Sequence, residues 1–302
     1  MNQAEQAMHA DGTVAAVSGS GDPLGGGPQA ATASPSKWQC LDSGLSNVAR
    51  IYDALLGGKD NYAADREAAR RLVEAVPDAA HAARDNRAFL GRVVRFLAAD
   101  VGIGQFLDIG TGLPTRGNVH EIARTVNPAA RVVYCDNDPV VMAHARGLLA
   151  DTPGVAAVEG DVRYPRHLLT LPAVRKLIDF GRPVAVLLVA VLHFVPDSDS
   201  PWSAVKCITD HLAPGSYLVI SHVTGDEITE DAASQAREIY SSALVQGTAR
   251  SRGDIARFFD GLDLVEPGLA DVAAWRSARP DSGAGRPVLF YAGIGRKPGG
   301  AS

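Results

Sequence analysis

The 302-residue sequence predicts an α/β fold: a mostly parallel sheet of seven strands with helices on both faces. From residue 101 onward, short apolar runs alternate with helical stretches, which is the pattern of a doubly wound sheet. The run over 184–192 is apolar at nearly every position, as in a parallel strand buried on both faces. The strand at 106–109 leads into Gly110-Thr111-Gly112, a turn that lets the backbone approach a nucleotide-like ligand closely.

The part of the chain before residue 101 predicts a tail followed by a helical cap. Residues 1–40 are rich in Gly, Ala, Ser and Pro and have no apolar period, so we expect a disordered tail. Apolar residues at helical spacing then predict three helices, and the Gly57-Gly58 pair ends the first of them. These helices, over 48–56, 63–75 and 79–99, form an expected cap or lid that covers residues 41–100.

Residues 101–298 predict the sheet domain, in which apolar runs are separated by Gly, Pro, Asp and Asn. The final two strands lie near the end of this domain, and one of them is expected to be antiparallel. The expected strands cover residues 106–109, 131–135, 155–159, 184–192, 217–221, 262–266 and 287–294. The expected helices cover residues 119–126, 140–149, 202–212, 229–246 and 252–259.

Composition excludes several classes of protein. The net charge of −5 gives no reason to expect a nucleic-acid partner. The longest apolar run, over 183–196, is too short to span a bilayer, and the first 16 residues lack the features of a signal peptide. Cys40, Cys135 and Cys207 show no CxxC spacing, which argues against a disulfide framework and a metal site. We therefore expect a cytoplasmic protein without a membrane partner or a metal, and homodimerisation stays open.

Acidic residues follow three consecutive strands of the expected sheet. Asp108 ends the first strand, Asp136 ends the second 24 residues after Gly112, and Asp161 follows the third. Ligands of such sheets bind at the carboxyl ends of the strands, and an acid about 20 residues after the glycines commonly binds ribose hydroxyls. The three acids therefore predict a site for a nucleoside.

Two nucleoside ligands compete for this pattern. A nicotinamide dehydrogenase needs a third small residue after Gly-x-Gly, but Pro114 and Thr115 stand there. S-adenosylmethionine (SAM) carries a sulfonium, an amino-acid end and an adenosine, and no phosphate. Because three acids at consecutive strand ends suit those groups, the residues favour SAM over a dinucleotide.

The same residues carry a family resemblance. Asp108-Ile-Gly-Thr-Gly112, Tyr134-Cys-Asp-Asn-Asp-Pro139 and Glu159-Gly-Asp161 resemble the first three motifs of class I SAM-dependent methyltransferases. More narrowly, the stretches at 49–62, 105–115 and 215–222 look like an actinobacterial S-adenosyl methyltransferase family that was formerly a domain of unknown function. The resemblance covers about residues 43–297. It implies the Rossmann-like class I methyltransferase fold with a final antiparallel strand, SAM as cofactor and S-adenosylhomocysteine as product.

The resemblance also implies roles for single residues. Gly110, Thr111 and Gly112 would flank the methionine part of SAM, and Asp108 would orient its ammonium group. The ribose hydroxyls would bind Asp136. Asn137 and Asp138 would be weaker candidates for contacts with the cofactor. The adenine amine would bind Asp161, and Val162 would supply a backbone donor.

Other residues are candidates for the acceptor side. Lys59, Asn61 and Tyr62 follow the flexible Gly57-Gly58 pair, so we expect them to border the SAM or acceptor pocket as a lid. His193 and His222 follow the fourth and fifth strands, where either could act as a general base.

We expect a methyltransferase acting on a small-molecule acceptor. The alternatives are a catalytically idle SAM-binding or regulatory protein and, less favoured, an NAD(P)-dependent oxidoreductase.

Overall fold

A sheet in the strand order β3-β2-β1-β4-β5-β8-β6 organises the computed structural model, which describes residues 44–115, 117–149, 152–278 and 285–299. Strands β1 to β5 are parallel, whereas β8 is antiparallel to β5. The predicted α/β class with a mostly parallel sheet is therefore confirmed. The expected tail over 1–40 lies outside the described residues. The strands are β1 (Gln105–Ile109), β2 (Arg131–Asp136), β3 (Val155–Glu159), β4 (Ala185–Val189), β5 (Tyr217–Val223), β6 (Asp263–Leu264), β7 (Ala270–Asp271) and β8 (Phe290–Arg296).

Helices cover both faces of the sheet because side chains alternate along each strand. On β1, Phe106 packs into the core formed with α3 to α5, and Leu107 packs into the core formed with α6 to α8. None of the described helices combines the length and the apolar character needed to cross a bilayer. The helices are α1 (Val48–Leu55), α2 (Ala63–Ala75), α3 (Ala79–Ala99), α4 (Val119–Arg124), α5 (Pro139–Leu149), α6 (Pro165–Thr170), α7 (Pro172–Leu177), α8 (Pro201–His211), α9 (Glu230–Ser242) and α10 (Arg252–Ala256).

A third apolar core joins the N-terminal helices to α9. Ile51 and Leu55 of α1 and Leu72 of α2 pack against Ile239 of α9. Helix α3 contributes to this core through Ala83 and to the core on the sheet through Phe89. Helix α9, far away in the sequence, therefore packs with the N-terminal helices that were expected to form a cap.

The described residues form eight strands instead of the expected seven because the edge strand is divided. Leu264 pairs with Gly295 of β8, and Ala270 pairs with Ala292. Between these two pairs the edge strand advances by six residues but β8 by only three. The surplus residues loop out around Pro267, which has no N–H to donate to the sheet. The strand predicted over 262–266 is thus its first half, and the second half was not predicted.

Two further element boundaries and two short helices differ from expectation. Strand β4 ends at Val189, because Ala190 adopts φ 57° and leaves the extended conformation. Helix α9 ends at Ser242 rather than at residue 246. Leu244, two residues beyond this end, also has a positive φ. The six-residue helices α6 and α7, each with a proline in its first turn, were not predicted; they carry too few residues to show an apolar period.

Candidate functional site

The turn after β1 depends on two glycines for different reasons. Gly110 has φ 74°, and a Cβ there would stand 2.3 Å from Cγ2 of Val191. Its N–H donates to the Cys135 carbonyl at 2.8 Å, which ties the turn to β2. Gly112 has φ 65°, but a Cβ there would meet nothing within 4 Å. Gly110 thus permits close packing inside the protein, and Gly112 presents its backbone to open space.

Asp108 is a buried carboxylate beneath this turn. Its Oδ2 accepts a hydrogen bond from Thr111 Oγ1 at 3.1 Å, and the residue is 5% exposed. Burial raises the pKa of Asp108 to about 6, although the Thr111 hydrogen bond and the positive charge of Arg87 act in the opposite direction. Among the described residues no ion pair joins Asp108 to a cation. Asp108 is therefore a buried acid that is influenced by the charge of Arg87 but is not in an ion pair with a described residue.

Asp136, at the end of β2, is a second buried carboxylate. It accepts hydrogen bonds from the backbone N–H of Gly112 at 2.9 Å and of Asp138 at 3.0 Å. Burial raises the pKa of Asp136 to about 6 despite these bonds. Since a carboxylate can accept about four hydrogen bonds, Asp136 keeps capacity for the donors of a ligand.

Asp161 differs from the other two acids because Arg163 already binds it. Arg163 Nη2 lies 2.6 Å from Asp161 Oδ2, and Asn137 Nδ2 lies 3.3 Å from the same oxygen. Burial alone would raise the pKa of Asp161, but the hydrogen bonds and charge of Arg163 lower it below the ordinary value. Val162 is buried in the core beneath. Asn137 and Asp161 are thus brought together, and Arg163 is a member of this group that the sequence analysis did not identify.

His193 follows β4 and lies in a 3-10 turn over Leu192–Phe194. It is 6% exposed, and its Nδ1 has no hydrogen-bond partner among the described residues. Burial, and then the neighbouring His222 and Arg250, lower the pKa of His193 well below its ordinary value. The imidazole is therefore neutral at pH 7 and keeps a buried nitrogen for another group.

His222, at the end of β5, is fully buried and has both ring nitrogens engaged. Nδ1 lies 2.7 Å from the Val223 carbonyl, and Nε2 lies 2.7 Å from Nη1 of Arg250. Since guanidinium only donates, Nδ1 carries the proton and Nε2 accepts. Burial lowers the pKa of His222 to about 3. This geometry favours His193 over His222 as a candidate base.

A buried hydrogen-bond chain connects the cap to the end of β4. Tyr52 of α1 donates to the Ala83 carbonyl at 3.0 Å and accepts from Asn86 Nδ2 at 2.9 Å. Asn86 Oδ1 accepts from Ser221 Oγ at 2.6 Å, and Ser221 Oγ accepts from the Ala190 N–H at 3.0 Å. Asn86 falls on the apolar stripe of α3, and a polar residue at such a position is the signal that marks it in the sequence.

The expected lid residues form an ordered loop. Asp53 accepts hydrogen bonds from the Asp60 N–H at 2.9 Å and from Asn61 Nδ2 at 2.8 Å. Lys59 is exposed, and the Tyr62 ring, 49% exposed, stacks on the Arg50 guanidinium at 5.0 Å.

The cap also contacts the end of β2. Asn47, which caps α1, donates from Nδ2 to the carboxylate of Asp138. Asp138 in turn accepts from the N–H of Val140 at 2.7 Å at the start of α5. The N-terminus of α1 therefore lies beside the strand end that carries Asp136.

Comparisons with known proteins identify the family of this chain. A family model described as S-adenosyl methyltransferase matches residues 34–298. A Thermobifida fusca protein assigned as a methyltransferase is 44% identical, with 85% of this chain and 97% of that chain covered and a TM-score of 0.80. A DUF574 family protein from Streptomyces avermitilis is 39% identical, with coverages of 85% and 100% and a TM-score of 0.80. No curated protein matches the sequence.

Proposed function

Because the chain belongs to the S-adenosyl methyltransferase family, we propose that the turn at Gly110 to Gly112, with Asp108 and Asp136, binds SAM for methyl transfer to a small molecule. The protein is a SAM-dependent methyltransferase of this family. The observation that supports the site most strongly is the pair of buried carboxylates whose pKa burial raises to about 6. Buried acids of this kind mark functional sites, because a cation or hydrogen-bond donors must compensate the charge.

The residues present fit each part of SAM. Asp108 would face the ammonium of the methionine part, and Asp136 would accept hydrogen bonds from the two ribose hydroxyls. Gly112 leaves space for this approach, since no atom lies within 4 Å of a Cβ at that position.

Arg87 supplies a candidate partner for the methionine carboxylate. Its Nη2 donates to the Gly117 carbonyl at 3.1 Å, and its charge lowers the pKa of Asp108. A cation and a carboxylate side by side match the two charges of an amino acid. We therefore add Arg87 of α3 to the residues inferred from the sequence.

The adenine end is assigned to Asn137, Asp161 and Val162. Arg163 holds the Asp161 carboxylate in place through two side-chain donors, Nε and Nη2, of which the shortest contact is 2.6 Å. In this proposal the adenine exocyclic amine takes the place of the long Asn137 contact at 3.3 Å.

SAM supplies an electrophilic methyl group on a sulfonium, so alignment with the acceptor is the main requirement. His193 would accept the proton of an acceptor O–H or N–H through its unpartnered Nδ1. Its neutral state at pH 7 suits this role. His222 has no free nitrogen, so in this proposal it supports His193 and does not touch the acceptor.

The lid assignment is tested by Lys59→Ala and Tyr62→Phe. Both side chains are largely exposed, so the fold should tolerate the changes. If the loop borders the pocket, SAM affinity or turnover falls; unchanged values for both variants would remove these residues from the site.

A titration calorimetry series with SAM, S-adenosylhomocysteine and NADH tests the cofactor assignment. We expect binding of both adenosyl ligands and none of NADH; the reverse would overturn the proposal. Turnover is then sought against a library of small metabolites by release of S-adenosylhomocysteine. Binding without turnover on any acceptor would favour the idle SAM-binding protein instead.

A further inference from the structure

Arg250 forms hydrogen bonds with the backbone of the turn that carries His193. Its Nη1 donates to the Leu192 carbonyl at 3.0 Å, and its Nη2 donates to the Val195 carbonyl at 2.7 Å. Between these two carbonyls, that of His193 accepts from the Thr248 N–H at 2.7 Å. The chain just before α10 thus holds three carbonyls of this turn, including those on either side of His193.

The Arg250 side chain is itself fixed on every side. It is buried, pairs with Asp197 Oδ1 at 2.6 Å, and lies over the rings of Trp202 at 5.1 Å and Phe258 at 5.7 Å. The Arg250 N–H also donates to the Val223 carbonyl at 3.3 Å, which ties it to the end of β5. Planar stacking combined with several directed donors is a role that arginine fills and lysine does not.

His222 extends this arrangement to the His193 ring. Arg250 Nη1 donates to His222 Nε2, and the His222 ring lies 5.5 Å from the His193 ring in an edge contact. Arg250 therefore acts on His193 twice, through the backbone of its turn and through the neighbouring ring.

We propose that Arg250 is a positioning residue for methyl transfer: with His222 it holds His193 in one orientation as a neutral acceptor of the substrate proton. This inference rests on the proposed role of His193 as base. Arg250 does not touch the acceptor itself.

The electrostatic surroundings of His193 favour its neutral form. The charged and titratable groups around His193 are His222 from β5, Arg250 from the segment before α10, and Asp197 from the turn after His193. Asp197 is 62% exposed, so solvent screens its charge, whereas Arg250 is buried. The net effect on His193 is that of a nearby positive charge, which disfavours protonation.

The test compares Arg250→Gln, Arg250→Lys and Asp197→Asn with Arg257→Gln as control. Arg257 stacks on the same Trp202 ring at 4.3 Å but pairs with Asp254, away from the His193 turn. Asp197→Asn is the mild variant, because Asp197 is exposed and its loss only loosens the guanidinium. The measurements are thermal unfolding, SAM affinity, and NMR titration of the histidine rings between about pH 5 and 8.

In the unmodified protein we expect one His193 signal that does not titrate in this range. In Arg250→Gln the signal should multiply or broaden, with smaller changes in Asp197→Asn and partial rescue in Arg250→Lys. With an acceptor in hand, kcat of Arg250→Gln should fall about ten- to a hundredfold while KM for SAM stays within about twofold. Arg257→Gln should match the parent.

A single, sharp His193 signal in folded Arg250→Gln overturns the proposal, and if that variant does not fold, the same result in Asp197→Asn does so. The SAM titration separates this outcome from failure of the proposed function. If SAM binds and His193 is unaffected, only the Arg250 proposal fails; if SAM does not bind the parent, the proposed function fails.

Discussion

The two halves of the sheet's carboxyl edge bury titratable groups of opposite kinds. The half formed by β1 and β2 buries the acids Asp108 and Asp136, whose pKa is raised to about 6. The half formed by β4 and β5 buries His193 and His222, whose pKa is lowered. Burial favours the neutral form in both halves.

The halves differ in what they do with positive charge. In the β4–β5 half, the cation Arg250 is already bound to carbonyls, to Asp197 and to His222. In the β1–β2 half, the acids form no ion pair with a described cation. The buried cation of the β4–β5 half thus has its partners within the protein, whereas the buried acids of the β1–β2 half have no ion-pair partner among the described residues and suit a ligand with positive charge or hydrogen-bond donors.

The largest effect is expected from a pair of glycine substitutions in the β1–β2 half. Gly110→Ala places a Cβ 2.3 Å from Val191 at a positive φ, so we expect a loss of about 2–5 kcal/mol in the free energy of unfolding. Gly112→Ala should cost only about 1–2 kcal/mol, because strain at its φ is the sole penalty. Urea unfolding measures both; equal losses would contradict the assigned difference between the glycines.

Asp136→Ala should weaken SAM binding about a hundredfold, since it removes charge-assisted hydrogen bonds to the ribose. Asp179→Asn is the matched control, because Asp179 lies near Gln105 at the opposite, amino edge of the sheet. Calorimetry at one ionic strength measures both affinities. An Asp136→Ala protein that is folded and binds SAM as well as the control would show that the ribose lies elsewhere.

SAM affinity should rise with pH through the range near 6. The free acids are mostly protonated at pH 5. The ammonium at Asp108 and the ribose hydroxyls at Asp136 would bind the ionised carboxylates better, so binding releases protons. For each acid with a pKa of about 6, affinity should increase about tenfold from pH 5 to pH 7 and then level off. Asp161 contributes nothing in this window because its pKa is lowered. An affinity independent of pH would mean that neither carboxylate contacts SAM.

The β4–β5 half should make stability depend on pH in a distinct way. A histidine with a lowered folded pKa stabilises the protein fully above its unfolded value near 6.5, and this stability is lost as pH falls below 6.5. We expect a slope of up to about 1.4 kcal/mol per pH unit from His222, and His222→Gln should remove it. The buried acids Asp108 and Asp136 give a stability slope of opposite sign between about pH 4 and pH 6. Both acids are present in the parent and in His222→Gln, so their contribution cancels in the difference. Unfolding free energies at pH 7, 6 and 5 measure the difference, and identical slopes would refute it.

The residues of the β1–β2 half were easier to predict from the sequence than the contacts of the β4–β5 half. Asp108, Gly110 and Gly112 form one local turn, and Asp136 ends the next strand, so strand prediction alone places them together. Arg250 meets Leu192 across 58 residues, and Asn86 meets Ser221 across 135. Such partners depend on how α3, α9 and α10 pack, which no local pattern encodes. The division of the edge strand near Pro267 likewise depends on register against β8.

The chain of hydrogen bonds from Tyr52 to Ala190 also orders events during synthesis. Ala190 leaves β4 with a positive φ, and the Ser221 hydroxyl that accepts its N–H is bound to Asn86. At about 5–20 residues per second, a ribosome makes Ser221 roughly 7 to 27 seconds after Asn86. The cap helices thus emerge long before their last buried partner exists. Until β5 is made, the Asn86 side chain has water in place of Ser221 as its hydrogen-bond partner, so the link between the N-terminal helices and the end of β4 forms only after Ser221 emerges.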